Sequence, residues 1–423
     1  MNSLESRVVT QIRLRRIGYA LLVSLILGAV FLYATDRRGE SSITRGDFPA
    51  FWSLAVIANS SEPSKLYDLS TQIRIQNEAW PSLEGTVLPA AYPPYLAFML
   101  RPMALCGAET ARLLWAVCSV VLYLAGVRNI ARLYPRLVPN VSDSITVMSL
   151  FAPLVLGVLG GQFLAVMIFL FSIVLSDDMK RGPQSDARLG CAVGLLFLKP
   201  YYGCAFMMSL LVSRRWRAVG VALIVVSILC WMGYCVLGGR WWSDWYNFAT
   251  WFSRINFEGN WHHMPNIHAG LLWLSRTLAL PSLTLIGWAV IAGLIVILSH
   301  PFFLPLIQRA WREGYSQNLY ILTVVIIVMG MSQANFYDLG LVAAGGMVLF
   351  RPDRTLDWSM LVGVWLTALM GAVYRAEIGP PYFFVAGFIL SVYIGVRLGP
   401  SAVSGPVALS ATGESLGRSD SAI

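Results

Sequence analysis

"LLFLKPYYG", residues 195–203, sets a lysine and a proline between two apolar runs. The runs span roughly 187–198 and 200–213. Proline suits the first position of a helix: its ring presets φ, and the N–H it lacks would be unpaired there anyway. Two helices are therefore expected to meet at Lys199, each shorter than the ~20 residues of a straight membrane span. A cation on such a corner has two readings. It snorkels to lipid head groups on its apolar stem, or it holds an anion as a point charge.

The same alternation runs through the whole chain. Of its 423 residues, 57% are hydrophobic and only 13% charged, against about 25% charged in soluble domains. So little charge cannot cover a water-facing surface. The fold class is all-α polytopic membrane protein. Apolar windows recur at roughly 17–34, 109–127, 143–159, 162–176, 187–198, 200–213, 217–238, 282–299, 316–331, 336–350, 357–375 and 380–398. Two more, 92–105 and 266–280, are short and proline-flanked, as expected of partial helices covered by protein or lining a wet cavity. About 10–13 crossings are expected from windows of ~20 residues. The domain reading is a cytoplasmic N-terminus (1–16), a transmembrane domain (17–399) and a disordered cytoplasmic tail (400–423). The first run, which follows Arg7, Arg13, Arg15 and Arg16, reads as a retained helix rather than a cleaved signal.

The net charge of +9 is better explained by cytoplasmic loops than by nucleic acid, because Lys and Arg collect on the inner side. Arg128, Arg132 and Arg136, the 177–188 loop, Arg214, Arg215 and Arg217, Arg309 and Arg312, and Arg351 and Arg354 mark that side. The opposite side then receives two long loops, 35–91 and 239–266, with the corners at Gly160-Gly161-Gln162, Lys199-Pro200, 332–338 and 376–381. This solution needs 92–127 to cross an odd number of times. In the first loop, Phe48 to Ile57 reads as a helix lying in the interface. Residues 241–252 have the aromatic density of a membrane–water belt.

This topology gathers Arg45, Asp47, Tyr92, Gln162, Lys199, Asp244, Arg254, Glu258, His262, His263, Gln333, Asn335, Asp338, Arg375 and Glu377 on one face. Ionisable groups at membrane depth are expensive and default to a functional reading. Carboxylates and cations together suit an anionic lipid head group and a hydroxyl nucleophile. Asp47 is placed to cap the helix that Pro49 opens, or to serve as a general base. Gln162, after two glycines, can both donate and accept. His262, His263 and His268 lack partners for a zinc site, and HExxH is absent. No phosphate loop and no GxSxG motif is present. Cysteines 106, 118, 191, 204, 230 and 235 read as small core residues without a redox or metal role.

Six blocks carry a family resemblance. They are "GDFPAFWSLAVIANSSEPSKLYD" (46–68), "YPPYLAFMLRP" (92–102), "GGQFLAVMIFLF" (160–171), "GCAVGLLFLKPYYG" (190–203), "HHMPNIHAGL" (262–271) and "SQANFYDLGLV" (332–342). In this order they resemble glycosyltransferase family 87, a group of GT-C fold membrane enzymes. The resemblance implies a hexosyltransferase, often a mannosyltransferase, that uses a polyprenyl-phosphate sugar on the periplasmic face of the bacterial inner membrane. It implies Asp47 as catalytic base and Lys199 near the donor phosphate, with Arg45 or Arg254 assisting. Tyr92, Gln162, His262, His263, Gln333, Asn335 and Asp338 are expected to line the substrate groove. Relatives often carry a histidine before Tyr-Asp. This chain has none between Ser332 and Phe336, so Gln333, Asn335 or the His262/His263 pair would have to replace it. The expected partners are the lipid-linked donor, a lipid or glycan acceptor and membrane lipids, with no nucleic acid. No resident cofactor and no metal ligand set is expected; whether a divalent cation assists is left open. The rival readings are a transporter or flippase of lipid-linked sugars, and an O-acyltransferase built on His300.

Overall fold

The computed structural model describes residues 16, 19–20, 23, 46–133, 146–178, 180, 182–279, 304–313, 317–331, 333–350, 355–373 and 381–398. Arg45, His300, Ser332, Arg351, Arg354, Arg375, Glu377, most of the expected first span, the 282–299 window and the tail lie outside them. Among the described residues there is no strand. The helices are α1 (Phe48–Asn59), α2 (Leu69–Ala79), α3 (Pro94–Leu100), α4 (Ala108–Leu133), α5 (Ala152–Leu159) and α6 (Leu164–Asp178). They continue as α7 (Pro183–Leu196), α8 (Pro200–Val212), α9 (Trp216–Leu237), α10 (Trp241–Asn260) and α11 (Ile267–Thr277). The last four are α12 (Gln317–Gly330), α13 (Leu339–Leu349), α14 (Thr355–Val373) and α15 (Tyr382–Leu398).

Two of the described helices, at Ala108–Arg132 and across Trp216–His263, are long and apolar enough to cross a membrane by themselves. The others are shorter, and the reason lies in their corners. Pro200 opens α8 immediately after Lys199, and Gly160-Gly161 closes α5 before Gln162. Such helices run in pairs, packed on each other. The main core joins α4, α6, α7, α8, α12, α13 and α15 through residues such as Leu164, Ile168, Tyr202, Tyr320 and Val342, all fully covered.

Outward faces are apolar too. On α4 they include Leu114, Val117 and Val121, on α9 Ile224, Ile228 and Trp231, and on α14 Val362, Leu366 and Leu369. Water does not tolerate exposed apolar surface on this scale, whereas a bilayer is its natural solvent. The chain is a membrane protein. The cysteines join these faces, contrary to the core role expected of them. Cys118, Cys191, Cys204 and Cys235 are exposed, and Cys106 and Cys230 are partly covered. A small, weakly polar side chain facing lipid loses nothing there.

The helices order the molecule into two ends. At one end, α6 begins beside Gln162, α7 arrives at Lys199, α12 runs into 331–338, and α15 starts next to Phe336. At the other end, about 22 Å along the 15-residue α6, Asp177 binds Arg188 and Asp178 accepts from Tyr320. Arg215, 2% exposed at its side chain, meets Asp186 there at 2.9 Å. The stretch 92–127 contains the partial helix α3 and one long helix, α4. Trp115 of α4 bonds at the Gln162 end, and Asn129 reaches Ser172 farther down. One helix of spanning length therefore runs from the Gln162 end to the other.

The helix expected in the interface is α1. Protein rather than lipid head groups covers it: Phe51, Leu54 and Ala55 have no exposed surface. A helix that is hydrophobic all round belongs in a core. It packs on α3 and α2 within the segment 46–100. After a break at Gly238, α10 returns over this segment. Trp245 donates to the Ala91 carbonyl at 3.2 Å, and Phe248 meets Tyr67.

Candidate active site

Two corners far apart in sequence dock backbone to backbone. Gly46 has φ +50°, and a Cβ on it would lie 2.1 Å from the Gly160 carbonyl oxygen. Only glycine fits that approach. The Asp47 N–H donates to the same oxygen at 2.9 Å. Gly161 has φ +71°, and its carbonyl accepts from Trp115 Nε1 at 2.7 Å. The docked corners face Asp47 with Gln162, whose Nε2 donates to Asp47 Oδ2. Asp47 occupies the N-cap position of α1 but makes no side-chain capping bond. Its carboxylate is committed across the corner rather than to its own helix.

A second pair stands at the meeting of α7, α8 and α13. Lys199 Nζ lies 2.7 Å from Asp338 Oδ1, the two side chains being 6% and 1% exposed. The other Asp338 oxygen accepts from the Asn335 N–H at 3.0 Å. Asn335 Nδ2 in turn donates to the Tyr337 hydroxyl at 3.0 Å. The lysine also lies over the Tyr337 and Tyr202 rings, 5.1 and 5.8 Å from their centroids. A buried ion pair persists when further hydrogen bonds satisfy its atoms, and these contacts supply them.

The two pairs share one electrostatic site. Burial pushes the Asp47 carboxyl up to about 6, and the positive charge of Lys199 pulls against that rise. The Tyr92 and Tyr337 side chains also face this site. The floor is aromatic: Phe51 lies 5.0 Å from Tyr92 and 5.1 Å from Phe163 between ring centroids. Trp115 closes the same cluster, 5.0 Å from Phe163.

The structure thus brings together Asp47, Tyr92, Gln162, Lys199, Asn335 and Asp338. It leaves Gln333 exposed on its corner and Arg254 exposed on α10, outside these contacts. The His262 and His263 ring centroids lie 4.1 Å apart with their planes tilted by 52°, and His263 is 6.5 Å from Phe336, so the pair flanks the site. Among the described residues, no group of three or more His, Cys, Asp or Glu gathers as a metal site would require.

Reading the sequence for charge missed Tyr337, Tyr202, Phe51, Phe163 and Trp115. Tyr337 was the most legible of these, because it directly precedes Asp338 in "NFYD". The others look like any apolar helix residue until a partner is seen.

The arrangement offers a carboxylate of raised proton affinity beside a buried ammonium. Such a carboxylate can accept a proton from a hydroxyl, and such an ammonium can hold negative charge. A search of curated proteins found no match. The sequence model of glycosyltransferase family 87 matches residues 90–332, more than half of the chain. That match contains Tyr92, Gln162 and Lys199, and the glycine corner carries Asp47 onto it. By that match, the chain belongs to glycosyltransferase family 87.

Proposed function

We propose that this glycosyltransferase moves a hexose, mannose being the expected sugar, from a polyprenyl-phosphate donor to a hydroxyl of a lipid or glycan acceptor. The observation that carries the reading is the Asp47 carboxylate: free of capping duty, fixed by Gln162 and within electrostatic reach of Lys199. Asp47 takes the proton of the acceptor hydroxyl as that oxygen bonds to the anomeric carbon. The bond from that carbon to the carrier phosphate breaks on the other face, and the phosphate departs with the electron pair. The anomeric centre inverts through an oxocarbenium-like state.

Lys199 acts on the leaving phosphate. Its ammonium carries three N–H donors, of which Asp338 engages one. The pair fixes the ammonium in place while leaving donors for phosphate oxygens. Preorganised donors of this kind are worth about 10²–10³ in rate. The side of the membrane is read from charge. The site lies at the end opposite Arg188 and Arg215, and basic residues favour the cytoplasm. The active site is therefore assigned to the periplasmic side of the inner membrane.

The test is transfer of radiolabelled mannose from polyprenyl-phosphate mannose to extracted membrane lipids, with protein in proteoliposomes. Asp47→Ala and Asp47→Asn are expected to insert and fold normally and to lose about 10²–10⁴ in rate, the range for a general base. Wild-type turnover by either variant removes Asp47 from the chemistry. If the variants still moved the lipid-linked sugar across the bilayer while neither they nor the wild type transferred it, the flippase reading would replace this one.

A further inference from the structure

Gln162 has no charge and lies in the corner between α5 and α6. Its side chain is buried, the residue being 3% exposed. Its Nε2 donates to Asp47 Oδ2, and its Oε1, also buried, accepts no hydrogen bond among the described residues. An amide oxygen buried without a partner costs free energy, so the position is not explained by the amide's own comfort. Its orientation is set by Asp47. An ionised carboxylate repels the carbonyl end of the amide and attracts the N–H end.

Everything around the amide holds it still. The Gln162 backbone N–H donates to the Gly157 carbonyl at 2.9 Å. Trp115 fixes the Gly161 carbonyl, and the Asp47 N–H fixes that of Gly160. These bonds fix the backbone from which the Gln162 side chain reaches Asp47.

We propose that Gln162 is the positioning residue of Asp47: its amide N–H fixes the carboxylate's direction and favours the ionised form over the acid. The inference rests on Asp47 being the base, and it adds what makes that base competent. A hydrogen bond to a charged acceptor is about twice as strong as one between neutral groups. The amide therefore binds the carboxylate better than it binds the protonated acid, and opposes the desolvation that raises Asp47. The other ionisable groups facing Asp47 are Lys199 from the α7–α8 corner, Tyr92 ahead of α3 and Tyr337 ahead of α13. Of these, Lys199 is the cation that favours charge on Asp47, and the proposal adds the Gln162 donor to it.

The test follows the ionisation of Asp47 without needing turnover. Dicyclohexylcarbodiimide adds to protonated carboxyls in apolar sites. Its labelling of the Asp47 peptide is followed by mass spectrometry from pH 4.5 to 9 in wild type, Gln162→Leu, Gln162→Asn and Gln162→Glu. Gln162→Leu removes the donor at similar volume and is expected to move the midpoint up by about one pH unit. Gln162→Asn, one methylene short of Asp47, is expected to move it the same way. Gln162→Glu sets a second carboxyl against Asp47, and the pair is expected to hold a proton well above the wild-type midpoint. The acidic limb of kcat/KM should move with the label, with kcat reduced and donor KM little changed. Gln162→Glu keeps the size and polarity of the corner, so a folding defect in Gln162→Leu leaves the test intact. An unchanged midpoint and an unchanged acidic limb in Gln162→Glu overturn the proposal even if Asp47→Ala is inactive. An active Asp47→Ala variant defeats the base reading itself, whatever Gln162 does.

Discussion

Asp47 and Lys199 show how two charged side chains come to serve one site by different routes. Asp47 is only partly covered by the chain and owes its raised proton affinity to the apolar walls around it. With the value near 6, the carboxylate is ionised above that pH and can act as a base there. Below it the acid form accumulates, so kcat/KM should fall tenfold per pH unit on the acid side of about 6. A profile flat down to pH 4.5 contradicts the assignment. Lys199 is buried with Asp338, and removing one partner strands the other. Lys199→Met should destabilise the protein by about 3–5 kcal/mol. The Lys199→Met, Asp338→Leu double variant should recover most of that loss, since apolar replacement of a whole buried pair is often neutral or favourable. Thermal unfolding in detergent reads the stability, and donor KM reads the function. Donor use lost in both variants, with stability recovered in the second, separates phosphate binding from packing. Normal donor use in the double variant would return Lys199 to a structural role.

At the level of elements, the decisive feature is the contact of the Gly46 and Gly160 corners. It sets the N-terminus of α1 against the end of α5, and only that contact puts Asp47 beside Gln162. Gly46→Ala would need a positive φ at an L-residue and a Cβ 2.1 Å from a carbonyl oxygen. The backbone must shift, at a cost of about 1–3 kcal/mol for overpacking. Transfer is expected to fall at least as far as in Gln162→Leu, with helix content by circular dichroism unchanged. Full activity in Gly46→Ala would show that the docking is looser than the geometry states. The α7–α8 hairpin works by the same logic. α7 ends at Leu196 and Pro200 begins α8, so Lys199 is left on the bend with its side chain turned toward Asp338.

Across the whole molecule, the arginine-bearing ion pairs and the candidate site occupy opposite ends. Arg188, Arg215, Asp177 and Asp186 form ion pairs at one end, while Asp47, Gln162, Lys199 and Asp338 gather at the other. Short apolar helices connect the two. With the native cysteines replaced by serine, a single cysteine at Glu62 should react with a membrane-impermeant maleimide in intact spheroplasts. One at Lys180 should react only after permeabilisation. Both positions are exposed, so access to the reagent alone decides the outcome. Labelling in the reverse pattern would put the site on the cytoplasmic side and end the periplasmic assignment.

The sequence by itself determined the all-helical membrane class, because its low charge and recurrent apolar windows leave no other solvent for these surfaces. It also singled out Asp47, Gln162, Lys199 and Asp338, since a polar side chain amid apolar runs is costly enough to stand out. Tertiary structure alone decided their partners. Asp338 lies 139 residues from Lys199, and Gln162 lies 115 from Asp47. No local periodicity records such a meeting. It depends on two glycine corners meeting backbone to backbone and on α13 packing beside α6, contacts fixed by the fit of whole helices. The same limit explains why the aromatic floor escaped notice. Phe51, Trp115 and Phe163 are ordinary apolar residues along the chain, and they become the wall of a site only when three separate segments converge.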